Sequence, residues 1–217
     1  MKPFSAIIFD MDGVLVDSEP LHQRAFENLF AELGLGDSHE IRFADYYGRS
    51  DRVLLTDFIA LHRPTKTFDQ LLQRKIEIFL ASLRVARPIY PELLTLIPTL
   101  AQRHPLAIAS SNNRRAIDAV LEISGFSPHF SAIVSLEEIR APKPDPDVYL
   151  QAALRLGIDP SDCLAVEDAA AGIEAAKMAG MNVLAITTSL PAEKLARADR
   201  IVRNHSELSE VLLNDSK

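Results

Sequence analysis

Ala6-Ile7-Ile8-Phe9-Asp10-Met11-Asp12-Gly13 sets an apolar run directly against two carboxylates two positions apart. Four apolar residues closed by a turn signal read as a strand buried on both faces, so the acids stand at its carboxyl end. Anions this close at an apolar edge repel each other and lose hydration, and they need a cation or a shared proton to hold them. Gly13 predicts a turn rather than a continuing strand. The tenth residue is therefore the first candidate for a metal site.

Similar apolar runs recur along the chain: Leu106 to Ala109, Ala132 to Val134, Leu164 to Val166, Val183 to Ile186, and Ile201-Val202. Segments of helical period separate the later ones, with Ala116, Val120 and Leu121 in one and Val148, Ala152 and Leu156 in another. Gly125 and Gly157 stand where those helices should stop. Alternation of strand and helix from about residue 91 onward indicates an α/β parallel sheet covered on both faces, with ligands bound at the carboxyl ends of its strands. Asp10, Ser110 and Asp168 all fall at such ends.

Residues 18–86 follow another rule. Leu21, Ala25, Leu29 and Leu33 share a helical face closed by Gly34. Two more apolar sets, beginning at Val53 and Leu71, flank Arg63-Pro64-Thr65. The expected organisation is a core built from residues 1–17 and 87–217, with a helical insert over 18–86. An insert leaving from the end of the first strand is expected to overhang the acidic site as a cap.

Composition narrows the partners. A chain of 217 residues with 47% apolar content can bury a sizeable core, and a net charge of -7 argues against a broad basic surface for nucleic acid or anionic membrane. The single cysteine, Cys163, lies in an apolar run and reads as a buried structural thiol. About five apolar residues precede Asp10, too few for a signal segment or a membrane span. A soluble cytoplasmic chain, monomeric and without nucleic-acid or membrane partners, is the expectation.

The chemistry comes from four places. Glu167-Asp168 ends the run Leu164 to Val166, and neighbouring parallel strands would bring it beside Asp10. Oxygen donors without histidine or cysteine suit a hard cation, and a small set completed by water suits Mg2+ better than Ca2+. Mg2+ in turn favours a phosphorylated substrate. Ser110-Ser111-Asn112-Asn113 precedes a helix, where hydroxyls and N–H groups of Ser110, Ser111 and Asn112 can meet phosphate oxygens. Lys143 is a cation on the proline-stiffened segment Pro142-Lys143-Pro144.

Taken in order, Asp10-Met11-Asp12-Gly13, Ser110, Lys143 and Glu167-Asp168 resemble the haloacid dehalogenase-like hydrolases across essentially the whole chain. The stretch Phe9 to Glu19 and the helical insert after it are similar to the branch containing β-phosphoglucomutase and many small-molecule phosphatases. The resemblance implies a Rossmann-like core with an inserted α-helical cap domain. It implies that Asp10 is the nucleophile forming an aspartyl-phosphate and that Asp12 is the acid/base and lends its carbonyl to Mg2+. Asp168 would be the other main metal ligand, with Glu167 a direct or water-mediated partner, and Ser110 and Lys143 would hold the transferring phosphoryl oxygens.

Asp12 argues against dehalogenation, which needs no acid for an alkoxide leaving group. His22 and Lys75 match positions that the mutase uses in its cap, whereas Asp51 stands where the mutase has a phosphate-binding arginine. Arg49 or Arg52 is the available replacement. The expected function is a Mg2+-dependent phosphatase of a small phosphorylated metabolite, with His22, Arg49 and Lys75 contacting substrate from the cap. The alternative is a β-phosphoglucomutase-type sugar-phosphate mutase. A third reading, a phosphometabolite-binding module without turnover, is disfavoured because each catalytic position holds a chemically competent residue.

Overall fold

The computed structural model describes residues 3–46 and 50–214. The chain forms two compact units, one comprising Met1–Asp17 and Ile89–Lys217, the other Ser18–Pro88.

Each apolar run of the first unit is a strand: β1 (Ala6–Phe9), β2 (Leu106–Ala109), β3 (Ala132–Val134), β4 (Cys163–Glu167), β5 (Asn182–Ile186) and β6 (Arg200–Val202). They make one six-stranded sheet in the order β3-β2-β1-β4-β5-β6, parallel throughout. Ile8 lies opposite Ala107 on one side and Ala165 on the other, so β1 is central. The chain steps outward from β1 to β2 and β3, then returns to pair β4 on the far side of β1. That reversal opens a crevice beyond the carboxyl ends of β1 and β4, where open α/β sheets bind ligands.

The second unit contributes helices α1 (Glu19–Glu32), α2 (Asp51–His62) and α3 (Phe68–Ala86), and the first contributes α4 (Leu93–Ala101), α5 (Arg114–Ser124), α6 (Asp147–Leu156), α7 (Ala170–Met178) and α8 (His205–Asn214). Small residues on one sheet face, Ala6, Ala107, Ala109 and Ala165, pack against Val148, Tyr149 and Ala152 of α6 and Ile173 of α7. Alternating residues point to opposite faces, and Ile7, Phe9, Leu106 and Ile108 are as deeply buried as their neighbours. Gly125 and Gly157 close α5 and α6 in left-handed conformation, as their places in the sequence predict. Val16 and Ile89 form an antiparallel bridge where the chain leaves and rejoins this unit.

The helical unit has its own core of Phe26, Leu29, Phe30, Leu54, Leu55, Phe58 and Leu71. Phe30 stacks on Phe58 with ring centroids 4.2 Å apart, a contact worth about 1 kcal/mol beyond the area it buries. Thr67 and Gln70 close a capping box at the start of α3, and Arg74 of α3 holds Glu32 of α1 through two hydrogen bonds of 2.6 and 2.8 Å. Among the described residues, no helix is long and apolar enough to cross a membrane.

Candidate active site

Asp10 leaves β1 with its N–H donated to the Val166 carbonyl of β4, at 3.0 Å. Gly13 then turns the chain at φ +69°, and a Cβ there would collide with the Asp168 carboxylate. Both the sign of φ and the missing side chain are thus required for the Asp10–Asp12 loop to lie against the end of β4. The loop is fastened from behind by His205, whose Nε2–H donates to the Val14 carbonyl at 2.8 Å while its ring stacks on Tyr90 at 3.7 Å.

One carboxylate oxygen each from Asp10, Glu167 and Asp168 lie within 4.8 Å of one another. Lys143 enters this group from the loop before α6. Its Nζ donates to Asp10 Oδ1 at 2.5 Å, to Glu167 Oε1 at 2.6 Å and to the Ala109 carbonyl at 3.1 Å. Tyr149 of α6 donates its hydroxyl to the same Glu167 oxygen at 2.7 Å. Asp168 accepts from Ser189 and, at 3.3 Å, from Thr188. Asp12 accepts from the Asn112 side-chain amide, and Asn112 in turn donates its backbone N–H to Ser110 Oγ at 3.1 Å. Ser111 is half-buried on that same loop, and Asn113 caps α5 by accepting from the Ala116 N–H.

Charge does not balance in this cluster. Burial pushes the Asp10 carboxyl well above the usual range; Lys143 pulls it down, while Glu167, Asp12 and Asp168 push it higher. Burial and then Glu167 push Asp168 up to about 8. Burial opposes the Lys143 ammonium, yet Asp10 and Glu167 outweigh it and raise its pKa. Lys143 therefore stays charged, and one ammonium is shared among carboxylates that outnumber it. An all-oxygen donor set with surplus negative charge fits a hard divalent cation.

The helical unit places His22, Asp51 and Lys75 together, one from each of its helices. Lys75 is 1% exposed and donates to Asp51 Oδ2 at 2.6 Å, with His22 Nδ1 at 2.5 Å from the same nitrogen. Phe26 and Phe79 flank the ammonium at 4.8 and 5.1 Å from their ring centroids. Burial alone would raise the Asp51 pKa, but Lys75 and His22 hold it below the usual carboxylate range. Arg49 lies outside the described residues.

A sequence profile described as haloacid dehalogenase-like hydrolase matches residues 7–186. The chain belongs to the haloacid dehalogenase-like hydrolases. Within this family it falls in the phosphatase and phosphomutase branch. It is 31% identical to hexitol phosphatase B of Escherichia coli over 95% of this chain and 92% of that one. The solved structure of CbbY from Rhodobacter sphaeroides, in complex with xylulose-(1,5)bisphosphate, is 28% identical and superposes with a TM-score of 0.78 over 94% of this chain and 96% of that one. The fold is shared, at 23% identity and a TM-score of 0.83, with β-phosphoglucomutase of Clostridium difficile over 98% and 97% of the two chains.

Three contributors to this cluster, Thr188, Ser189 and Tyr149, go unnoticed in the sequence. Ser189 sits in Thr187-Thr188-Ser189 directly after β5, where the rule of strand carboxyl ends points to it. Tyr149 gives no such signal, because it continues the apolar face of α6.

Proposed function

We propose that the protein is a phosphatase acting on a small phosphorylated metabolite, a sugar phosphate or related phosphomonoester. The observation that carries this reading is Lys143 seated between Asp10 and Glu167 at the sheet's switch point, with Asp12 held beside them by Asn112. Asp10 attacks phosphorus; the bond to the leaving oxygen breaks as Asp12 gives that oxygen a proton. Asp12 then removes a proton from the water that hydrolyses the aspartyl-phosphate, releasing phosphate and restoring Asp10. Ser110, Ser111 and Asn112 supply donors to the phosphoryl oxygens from the loop before α5. Lys143 opposes the rise in the Asp10 pKa that burial causes, and its hydrogen bond orients the carboxylate through the cycle.

Asp10, the Asp12 carbonyl and Asp168 would hold Mg2+, with Glu167 beside them. The ion would offset the charge gathered on the nucleophile and the phosphoryl group. His22 and Arg49 are assigned to the substrate's remaining part, and residues 18–86 to a cap. Lys75, expected from the sequence to touch substrate as well, is 1% exposed and engages its ammonium with Asp51 and His22, so its role is to hold His22 in place.

Sugar-phosphate isomerisation is the second reading, favoured by the His22–Lys75 contact at 2.5 Å. Against it, Asp51 occupies the position of the mutase arginine and is already paired with Lys75. The test is phosphate release from a panel of phosphorylated sugars and polyols with Mg2+, run beside the Asp10→Asn variant. Conversion of β-glucose 1-phosphate to glucose 6-phosphate is followed in parallel. Release that Asp10→Asn abolishes is expected; isomerisation without net release would make the protein a mutase.

A further inference from the structure

A carboxylate offers about four acceptor positions, and in Glu167 the protein itself fills them. Oε1 accepts from Lys143 and Tyr149, at 2.6 and 2.7 Å. Oε2 accepts from the backbone N–H groups of Asp168 and Ala169, at 3.1 and 3.2 Å. The first turn of α7 presses on the same carboxylate, since a Cβ on Gly172 would overlap it. Asp10 and Asp168 differ. Among the described residues, the hydrogen bonds to Asp10 fall on Oδ1 and those to Asp168 on Oδ2, so each keeps an oxygen for another partner.

Lys143 is used to the same extent. Its nitrogen donates to Asp10, Glu167 and the Ala109 carbonyl, and lies 3.5 Å from the Tyr149 hydroxyl oxygen and 4.9 Å from the centroid of that ring. Tyr149 thus touches both members of the pair: its hydroxyl fixes the carboxylate and its ring backs the ammonium. Fully buried on α6, it has no room to swing away.

We propose that Glu167 is an anchor rather than a metal ligand, and that Tyr149 is the positioning residue that locks Glu167 and Lys143 so that the ammonium is aimed at Asp10. The catalytic consequence rests on the phosphatase reading; the exclusion of Glu167 from the metal does not.

Tyr149→Phe removes one hydroxyl and changes neither charge nor ring shape. Mn2+ binding to the full chain is followed by paramagnetic resonance, and turnover of an aryl phosphate is measured in parallel. The expected result is kcat lowered about ten-fold with KM and Mn2+ Kd within about two-fold of the parent. A ten-fold loss of Mn2+ affinity would show that Tyr149 orients a ligand, and an unchanged kcat would show that it positions nothing; either overturns the proposal. In Glu167→Gln, the number of waters on bound Mn2+, read from solvent proton relaxation, is expected to equal that of the parent. An added water marks a vacated ligand position and overturns the proposal too. If the parent turns over no phosphoester, the phosphatase reading fails by itself, and the two Mn2+ comparisons still decide whether Glu167 is a ligand.

Discussion

His205 governs a loop whose chemistry lies nearly two hundred positions earlier. It is 4% exposed, and burial lowers its pKa below the ordinary 6.5, so the folded chain favours the neutral ring. Between that lowered value and 6.5 the unfolded chain binds the extra proton, and stability falls as pH falls through the window. With Mg2+ present, the Tm difference between the parent and His205→Gln should therefore narrow from pH 7.5 to pH 5.5; a constant difference would refute the coupling. Residues of this kind are hard to find in a sequence. His205 and Tyr149 act through partners 191 and 18 positions away, so no local spacing marks them. Asp10, Asp12, Glu167 and Asp168 were legible for the opposite reason: acids abutting apolar runs are anomalous wherever they occur.

At the scale of elements, His22, Asp51 and Lys75 tie three helices together at one point. Removing Asp51 alone leaves the Lys75 ammonium buried against Phe26 and Phe79 without its carboxylate. Asp51→Leu should cost about 2–4 kcal/mol in urea unfolding, and Asp51→Leu combined with Lys75→Met should recover most of that loss. Equal losses in the single and double variants would mean that the pair is not what binds the helices. The strands were readable because both faces of the sheet are covered, which makes each one a short unbroken apolar run. Helix α4 was harder to read: Leu93, Leu96, Ile97 and Leu100 keep helical spacing, but Pro98 sits among them and resembles a breaker. The order of the strands follows from pairings between distant segments, which no single run encodes.

For the whole molecule, surplus charge in the acidic cluster links stability to both metal and pH. The folded chain favours protonated Asp168, whose pKa is pushed from 3.8 up to about 8. In chelator, stability should therefore fall as pH rises through that interval, because the folded state must give up a proton that the unfolded state has already lost. Added Mg2+ should flatten the slope and raise Tm most at the alkaline end. Thermal melts across pH 5 to 8, with and without the ion, check this; parallel curves would speak against a metal at this cluster. The bridge between Val16 and Ile89 bears on the history of the chain. By joining the points of departure and return, it lets the sheet keep its register whatever is spliced between them. Insertions, deletions or exchanges of the intervening helices over that history are then absorbed outside the sheet, and the strands on either side of the seam stay in place.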